Sequence, residues 1–378
     1  MKVAVLGAGH GGQAITADLT LGGHEVRLAA VPEHATNIKL LNAFGGIILE
    51  GVSSSGVKPG FAKPVMITTD VGAAIKGAQV VLVVVPAFAQ EVYMKLLIEH
   101  GENGQIIVFN PGKFGTLAFA RLLMDAGRRE DFIIGETSSL IYAAKTKGLG
   151  HVNIKAVKTE LPFSALPASL TGQALWTLTD LYPQFCPAYN VLQTSVDAPG
   201  LIIHPISTLM NMSRIEQIGP YRNSHYDITP SVARVMDAVD KERMAIASTL
   251  CYETYSFIET MQIMYKVKAE NVYDTMYQIS AHNVQMAPEN LKHRYITEDI
   301  PYGLVTLASL GKMLRIPTPG IEAIVNIASM ANGEDYWNSG RTMKKMGLSD
   351  MSLMELIDYV NGRKGLSRNN PIIFTSIS

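Results

Sequence analysis

Residues 2–12 read Lys-Val-Ala-Val-Leu-Gly-Ala-Gly-His-Gly-Gly, an apolar run followed directly by closely spaced glycines. The run predicts a buried strand, and the glycines fit G-x-G-x-x-G at the start of a helix. In that context the first glycine permits a tight turn, the second lets the backbone approach a pyrophosphate, and the third lets helix and strand pack closely. The alternative is a glycine-rich turn without a ligand. The residues predicted to contact a dinucleotide here are Gly7, Gly9, His10, Gly11 and Gly12.

The distribution of apolar runs extends this prediction to a whole domain. From residue 1 to about residue 190, short Val/Ile-rich runs alternate with helical stretches, which is typical of a parallel sheet with crossover helices. Residues 45–63 are rich in glycine and serine and predict a hairpin or loop excursion. We therefore expect an α/β chain whose residues 1–190 form a Rossmann dinucleotide-binding domain. The predicted strands are 2–6, 25–29, 80–85, 105–109 and 132–135, and the predicted helices among them are 13–21, 90–99 and 117–126.

The composition changes after about residue 195. Runs of β-branched residues disappear, and amphipathic segments rich in Met, Ala and Leu predict a second, mostly α-helical domain over residues 195–362. Its longest predicted helix spans residues 231–265, with Thr229 as N-cap and Pro230 in the first turn. Residues 363–378 are interpreted as a C-terminal tail.

Charge and cysteine content exclude several classes of partner. The 32 basic and 33 acidic residues give a net charge of −1, which does not fit a nucleic-acid binder. The two cysteines cannot form a disulfide framework and lack metal-ligand spacing. The longest apolar run, residues 80–89, is shorter than the roughly 20 residues of a membrane helix, and no secretory signal precedes the first strand. We expect a cytoplasmic protein without metal, membrane or nucleic-acid partners, and a homodimer because the helical domain is rich in methionine.

The cofactor is predicted to be NAD or NADP, and the choice between them stays open. An acid about 20 residues beyond the glycines normally holds the ribose 2′-hydroxyl, but residues 28–31 read Leu-Ala-Ala-Val and offer neither that acid nor an arginine for a 2′-phosphate. Pro86 and Asn110 follow two other predicted strands, at the sheet edge where ligands bind. Ordinary strand-ending turns are the alternative for both.

Several further segments carry a family resemblance. They are Asn110-Pro-Gly, Gly135-Glu-Thr-Ser, Pro199-Gly-Leu-Ile-Ile-His204-Pro, Asp240-Lys-Glu-Arg243 and Arg294-Tyr-Ile-Thr-Glu-Asp299-Ile-Pro. Together with the glycine motif they resemble the opine dehydrogenases, which include the octopine and nopaline dehydrogenases and N-(1-D-carboxyethyl)-L-norvaline dehydrogenase. The resemblance extends to about residue 360. It implies that an α-keto acid, for example pyruvate, and the amino group of an amino acid form an imine, which NAD(P)H reduces.

Such a reaction needs a proton donor that titrates near neutral pH, and histidine is the natural choice. His204 stands in the apolar run 201–206, where a polar ring needs a partner. The residues alone favour a structural histidine at a helix start before Pro205, whereas the resemblance favours the catalytic acid and base. The resemblance also implies Asp299 as the carboxylate that orients the imidazole. Asp299 can alternatively be a helix N-cap, and the two roles are compatible.

Substrate carboxylates need a cation, and a guanidinium binds a carboxylate with paired hydrogen bonds. Arg294, five residues before Asp299, is the candidate that the resemblance supports. Arg243 is the second candidate, because its charge falls within the apolar stripe of the predicted helix 231–265. The alternative for Arg243 is an ion pair with Asp240 or another acid.

Two other functions remain open at this point. A 2-keto acid reductase of the ketopantoate reductase kind combines the same glycine motif with a helical second domain and needs no amine. A nucleotide-binding protein without catalytic activity is the other alternative. Dependence of cofactor oxidation on an added amino acid distinguishes the opine reaction from both.

Overall fold

The computed structural model describes residues 1–54, 56–128, 132–148, 150–219, 227–279 and 286–363. In it the chain divides into two compact units. The first comprises Met1–Ser195 together with residues 355–363, and the second comprises Val196–Met354. The predicted tail lies outside the described residues from residue 364 onward.

The strands of the described chain form two sheets. In chain order they are β1 (Lys2–Leu6), β2 (Glu25–Ala29), β3 (Ile47–Gly51), β4 (Phe61–Ala62), β5 (Met66–Thr68), β6 (Val80–Val83), β7 (Ile106–Phe109), β8 (Ile133–Thr137), β9 (Tyr142–Gly148), β10 (His151–Val157), β11 (Leu161–Leu166) and β12 (Phe185–Pro187).

The main sheet has eight strands in the order β12-β11-β8-β7-β6-β1-β2-β5. The six strands from β8 to β5 are parallel, and β11 pairs antiparallel with β8. The carboxyl ends of the parallel strands therefore meet at one edge. Since β2 and β6 lie on opposite sides of β1, the strand order reverses at β1, which is where sheets of this class bind ligands.

The central parallel strands β1, β6 and β7 contain continuous apolar runs because both of their faces are covered. Residues 3–6 of β1 and 80–83 of β6 are 0% exposed, as expected for strands of a doubly wound sheet. The five predicted strands are all present, with bounds within two residues of the prediction. The local pattern sufficed because each of these strands contains a run of buried apolar residues, although β2 also carries Glu25 and Arg27.

The excursion predicted at residues 45–63 forms the antiparallel pair β3–β4. It belongs to the second sheet, which has the order β4-β3-β10-β9. This sheet is tied to the first helix of the chain, because Asp18 accepts hydrogen bonds from the Ser54 N–H at 3.1 Å and from the Tyr142 hydroxyl. The parallel pairing of β3 with β10 joins residues far apart in sequence and was not predicted.

The described residues form helices in both units. In chain order they are α1 (His10–Leu21), α2 (Ala35–Phe44), α3 (Val71–Ile75), α4 (Gln90–His100), α5 (Gly115–Asp125), α6 (Thr171–Leu178), α7 (Val191–Val196), α8 (Gly200–Met210), α9 (Met212–Ile218), α10 (Pro230–Thr249), α11 (Phe257–Tyr265), α12 (Val272–Gln278), α13 (Arg294–Thr297), α14 (Val305–Leu314), α15 (Pro319–Asn332), α16 (Tyr336–Ser339) and α17 (Leu353–Asn361).

The prediction of a single helix over residues 231–265 is wrong, because two helices, α10 and α11, occupy this range. Thr229 caps α10 as predicted, accepting from the Val232 N–H. The break follows from Cys251, whose φ of 61° lies in the left-handed region, and from Ser256, which starts α11 with a capping box to Glu259. Two reciprocal hydrogen bonds there satisfy the first N–H groups of a new helix.

The C-terminal helix α17 belongs mostly to a different unit from the one predicted. Residues up to 362 were predicted to belong to the helical domain, but residues 355–363 group with the first unit. There the Asn190 side-chain amide donates to Asn361 Oδ1 at 3.3 Å. Among the described residues, no helix has the length and apolarity that crossing a membrane requires.

Candidate active site

The glycine loop between β1 and α1 is closely packed on the protein side and open at one position. Gly7 has a φ of +117°, and a Cβ there would lie 2.4 Å from the Val84 carbonyl oxygen. A Cβ on Gly12 would lie 1.7 Å from the Gly7 carbonyl oxygen, whereas a Cβ on Gly9 would have no protein atom within 4 Å. The loop therefore has no room for a side chain at Gly7 or Gly12, but it leaves space beside Gly9.

The helix α1 directs its first turn toward this space. Gly9 is its N-cap residue, and the helix begins at His10. The first N–H groups of a helix have no intrahelical acceptor, so they suit an anion. The side chain of His10 is exposed and tied to β9, because its Nδ1 accepts from the Thr146 N–H at 3.2 Å.

Asn110 lies at the same edge, directly after β7. Its side chain is 0% exposed, and neither the amide nitrogen nor the amide oxygen has a hydrogen-bond partner among the described residues. Leaving a buried polar group unpaired costs about 1–3 kcal/mol. Pro86, half-buried, follows β6 at that edge. The open Gly9 position and the unpaired Asn110 amide both fit a dinucleotide bound across these strand ends.

The loop after Asn110 is braced by a buried carboxyl group that the sequence reasoning did not single out. Glu136, in β8, accepts from the Thr116 N–H at 3.0 Å and from the Thr194 hydroxyl at 3.0 Å. Burial raises the pKa of this carboxyl group. The Ser195 hydroxyl also donates to Glu136 and accepts from the Phe114 N–H at 2.6 Å. Glu136 lies in the Gly135-Glu-Thr-Ser segment, and this was the sequence signal that could have identified it.

The predicted histidine and aspartate of the second unit are in contact. His204 Nδ1 lies 3.0 Å from Asp299 Oδ2. The Asp299 side chain is 1% exposed and the His204 side chain 27% exposed. An ionised carboxylate only accepts hydrogen bonds, so Nδ1 carries the hydrogen and Nε2 remains for exchange with a substrate. Asp299 occupies the N-cap position of a short π-helical segment, Ile300–Leu304, but its side chain makes no capping bond.

His204 does not stand at a helix start, as the structural alternative assumed. It is inside α8, directly before Pro205. Proline removes one backbone donor from a helix interior. The helix continues because its other face is held in the core, where Leu201, Ile202 and Ile206 are at most 1% exposed.

Two aromatic rings around His204 were missed by the sequence reasoning. The Tyr295 ring stacks on the His204 ring at a centroid distance of 3.9 Å and an interplanar angle of 10°. The His293 ring also contacts Tyr295, edge-on, at a centroid distance of 4.5 Å. Burial lowers the pKa of His293, and the adjacent positive charge of Arg294 lowers it further. The structure therefore provides a carboxylate partner for His204 and favours the neutral form of His293.

Arg294 begins α13 and keeps half of its side chain exposed. Among the described residues its guanidinium donates one hydrogen bond, a long one of 3.4 Å to Glu298 Oε2. Its carbon Cζ lies 5.8 Å from the centroid of the Tyr295 ring, which stacks on His204. The remaining N–H groups of Arg294 are thus available to a carboxylate near the imidazole.

Arg243 is placed differently, because the protein itself uses all five of its N–H groups. Nε donates to Asp240 at 2.7 Å, and the two terminal nitrogens donate to four further acceptors. These are Asp197, Thr254, the Met244 sulfur and the Tyr255 carbonyl oxygen. The side chain is 4% exposed. This geometry favours the ion-pairing alternative and leaves no donor for a substrate.

Replacing Arg243 with methionine is expected to lower the free energy of unfolding by about 3–5 kcal/mol, because the carboxylates that it pairs lose their cation. Urea unfolding measures this change. Lys241→Met is the matched control on the same helix, since Lys241 forms an exposed pair with Asp237 and its loss should leave unfolding almost unchanged. An Arg243→Met protein with wild-type unfolding and a raised KM for an acidic substrate would show that Arg243 binds substrate.

Comparison with known proteins identifies the family. Residues 187–332 match the family model described as NAD/NADP octopine/nopaline dehydrogenase, alpha-helical domain, and residues 2–109 match the one described as NADP oxidoreductase coenzyme F420-dependent. The opine dehydrogenase of Arthrobacter sp. (strain 1C) is 36% identical over 350 residues, which cover 92% of this chain and 96% of that protein. The chain belongs to the opine dehydrogenase family.

Solved structures agree with the fold. Octopine dehydrogenase in complex with NADH and agmatine superposes with a TM-score of 0.78 at 20% identity, covering 97% of this chain and 99% of that chain. Yersinopine dehydrogenase with NADP⁺ bound gives a TM-score of 0.71 at 14% identity, covering 93% and 98%. The predicted family and the predicted fold, a Rossmann domain followed by a helical domain, are confirmed. The protein is an NAD(P)-dependent oxidoreductase acting on CH–NH donors.

Proposed function

We propose that this opine dehydrogenase condenses an α-keto acid, such as pyruvate, with the amino group of an amino acid and reduces the resulting imine. The observation that carries the proposal is the 3.0 Å contact between His204 Nδ1 and Asp299 Oδ2, close to the half-exposed Arg294. A proton donor and a carboxylate-binding cation are what this condensation requires from the protein. Bound NAD(P)H supplies the hydride, and the residues that would hold the dinucleotide are those of the glycine loop with Asn110.

His204 moves the proton in this proposal. With Nδ1–H fixed on Asp299, the imidazole presents Nε2, which donates a proton to the substrate oxygen that leaves as water during condensation. In the reverse direction the neutral Nε2 takes a proton from the water that adds to the imine. Asp299 keeps the ring in the required tautomer and stabilises the imidazolium form, the role that the buried carboxylate has in catalytic triads. Tyr295, stacked on the ring, holds its plane.

Arg294 binds a substrate carboxylate. Both proposed substrates carry one, and the product carries both. A guanidinium with spare N–H groups can bind a carboxylate through two parallel hydrogen bonds. The buried Glu298 accepts from Arg294 and so restrains the direction of its side chain. This arrangement would place a carboxylate near the imidazole without a metal ion.

A substrate screen tests the proposal. Oxidation of NADH and of NADPH is measured with pyruvate against the twenty amino acids, and with pyruvate alone as the control. The expected result is oxidation that depends on one amino acid or a small group of them. Oxidation with pyruvate alone would instead indicate a 2-keto acid reductase, and cofactor binding without oxidation in any pair would contradict catalysis of this kind.

A further inference from the structure

A lysine at the carboxyl edge of the main sheet has a neutral partner, and the described residues offer it no acid. Lys158 directly follows β10, and its Nζ donates to the hydroxyl of Ser139. The side chain is half-buried. Among the described residues no carboxylate lies within ion-pair distance of this ammonium group, in contrast to Lys147 of the same hairpin, which pairs with Glu50.

Ser139 belongs to a segment that crosses the ligand-binding edge. Thr137 ends β8, whose carboxyl end lies at the same edge as those of β7, β6 and β1. Leu140, the next residue after Ser139, reaches the glycine loop, because its Cδ2 lies 2.9 Å from the position that a Cβ on Gly11 would take. Residues 138–140 therefore run from the end of β8 toward the loop after β1.

The protein keeps this ammonium group at a cost. Removing a charge from water without a counter-charge is unfavourable, and burial lowers the pKa of Lys158 to about 8. An apolar side chain of similar length would avoid that cost. Groups that are unfavourable for stability are commonly retained where function needs them.

We propose that Lys158 and Ser139 form a subsite for anionic ligand oxygens at this edge, either those of a dinucleotide phosphate or those of the keto acid carboxylate. A phosphate or carboxylate oxygen would complete the hydrogen bonding of the Lys158 ammonium group, which donates to one acceptor among the described residues. The phosphate alternative rests on the NAD(P) dependence of the family, and the carboxylate alternative rests on the proposed function.

The test compares Lys158→Met with the wild type and with Lys155→Met, an exposed lysine on β10 that serves as the control. The Kd of NADH, or of NADPH if the wild type prefers it, is measured by calorimetry without substrate, and the KM of pyruvate is measured at saturating cofactor. Loss of a charged hydrogen bond is expected to weaken one of these constants about 10- to 100-fold. A raised Kd assigns the subsite to a phosphate, and a raised KM with an unchanged Kd assigns it to the carboxylate.

Thermal unfolding separates this role from a structural one. Lys158→Met is expected to raise Tm, because it removes a half-buried ammonium group that has no counter-charge among the described residues. Unchanged Kd and KM would overturn the inference, and so would a Lys158→Met protein that unfolds at a lower temperature or does not fold. If the wild type binds the cofactor but turns over no keto acid and amine pair, the proposed function fails, and the calorimetric comparison still decides the phosphate alternative.

Discussion

Replacing His204 with alanine is expected to lower kcat for amine formation at least about 100-fold, the usual contribution of a general acid. The Kd of the cofactor should stay unchanged, because His204 belongs to the helical unit and the predicted dinucleotide contacts belong to the first unit. Steady-state kinetics with the substrates found in the screen measure the first quantity, and calorimetry measures the second.

Two further variants make this prediction specific. Asp299→Asn preserves volume but offers an amide donor to Nδ1, which favours the wrong tautomer of His204, so a loss of similar order is expected. His100→Ala removes a histidine from the end of α4 and should retain wild-type turnover. Full turnover of His204→Ala would remove the imidazole from the mechanism.

Alanine at Gly9 is expected to weaken cofactor binding at least about 10-fold while leaving the unfolding temperature unchanged. The backbone at Gly9 has a φ of −78°, which alanine adopts without strain, and the added Cβ would meet no protein atom within 4 Å. The methyl group would instead occupy the space that a pyrophosphate needs beside the first turn of α1.

Gly12→Ala is the comparison variant for Gly9→Ala, because it disturbs the protein's own packing. A Cβ there would lie 1.7 Å from the Gly7 carbonyl oxygen, so the helix and the loop must separate. We expect both the unfolding temperature and the cofactor affinity to fall. Calorimetry and thermal unfolding of the two variants measure the contrast. A Gly9→Ala protein that binds the cofactor as tightly as the wild type would show that this loop does not hold the pyrophosphate.

Local sequence patterns predicted the main sheet and the glycine loop because their determinants are local. Strand β1 is apolar and buried from Val3 to Leu6, and the turn that follows it requires glycine at Gly7, where φ is +117°. The second sheet was missed because β3 pairs with β10, about a hundred residues later in the chain. The same limit applies to α17, whose partners in the first unit include Asn190.

The break between α10 and α11 had a local signal that the helical pattern concealed. Ser256 and Glu259 have the spacing of a capping box, but the apolar residues on either side continue at helical spacing. In the structure Arg243 donates to the Tyr255 carbonyl oxygen and to Thr254, which stabilises the connection as a turn. The charge within the apolar stripe therefore belongs to a side chain that contacts the connection after α10.

The pairing of His204 with Asp299 was predicted only through the family resemblance, since nothing in the spacing of the two residues implies a contact. The stacking of Tyr295 on His204 had no sequence signal beyond its place next to Arg294. Such contacts arise from the packing of α8 against α13, which the sequence of either helix alone does not encode.

The pH dependence of kcat/KM in the two reaction directions tests the acid and base role of His204 most directly. Amine formation needs the protonated imidazole, so its rate should fall as the pH rises. Oxidation of the opine needs the neutral imidazole, so its rate should rise as the pH rises. Both pH dependences should disappear in His204→Gln. If kcat/KM changes with pH in the same direction for both reactions, or if the pH dependence persists in His204→Gln, His204 is not the acid and base of this reaction.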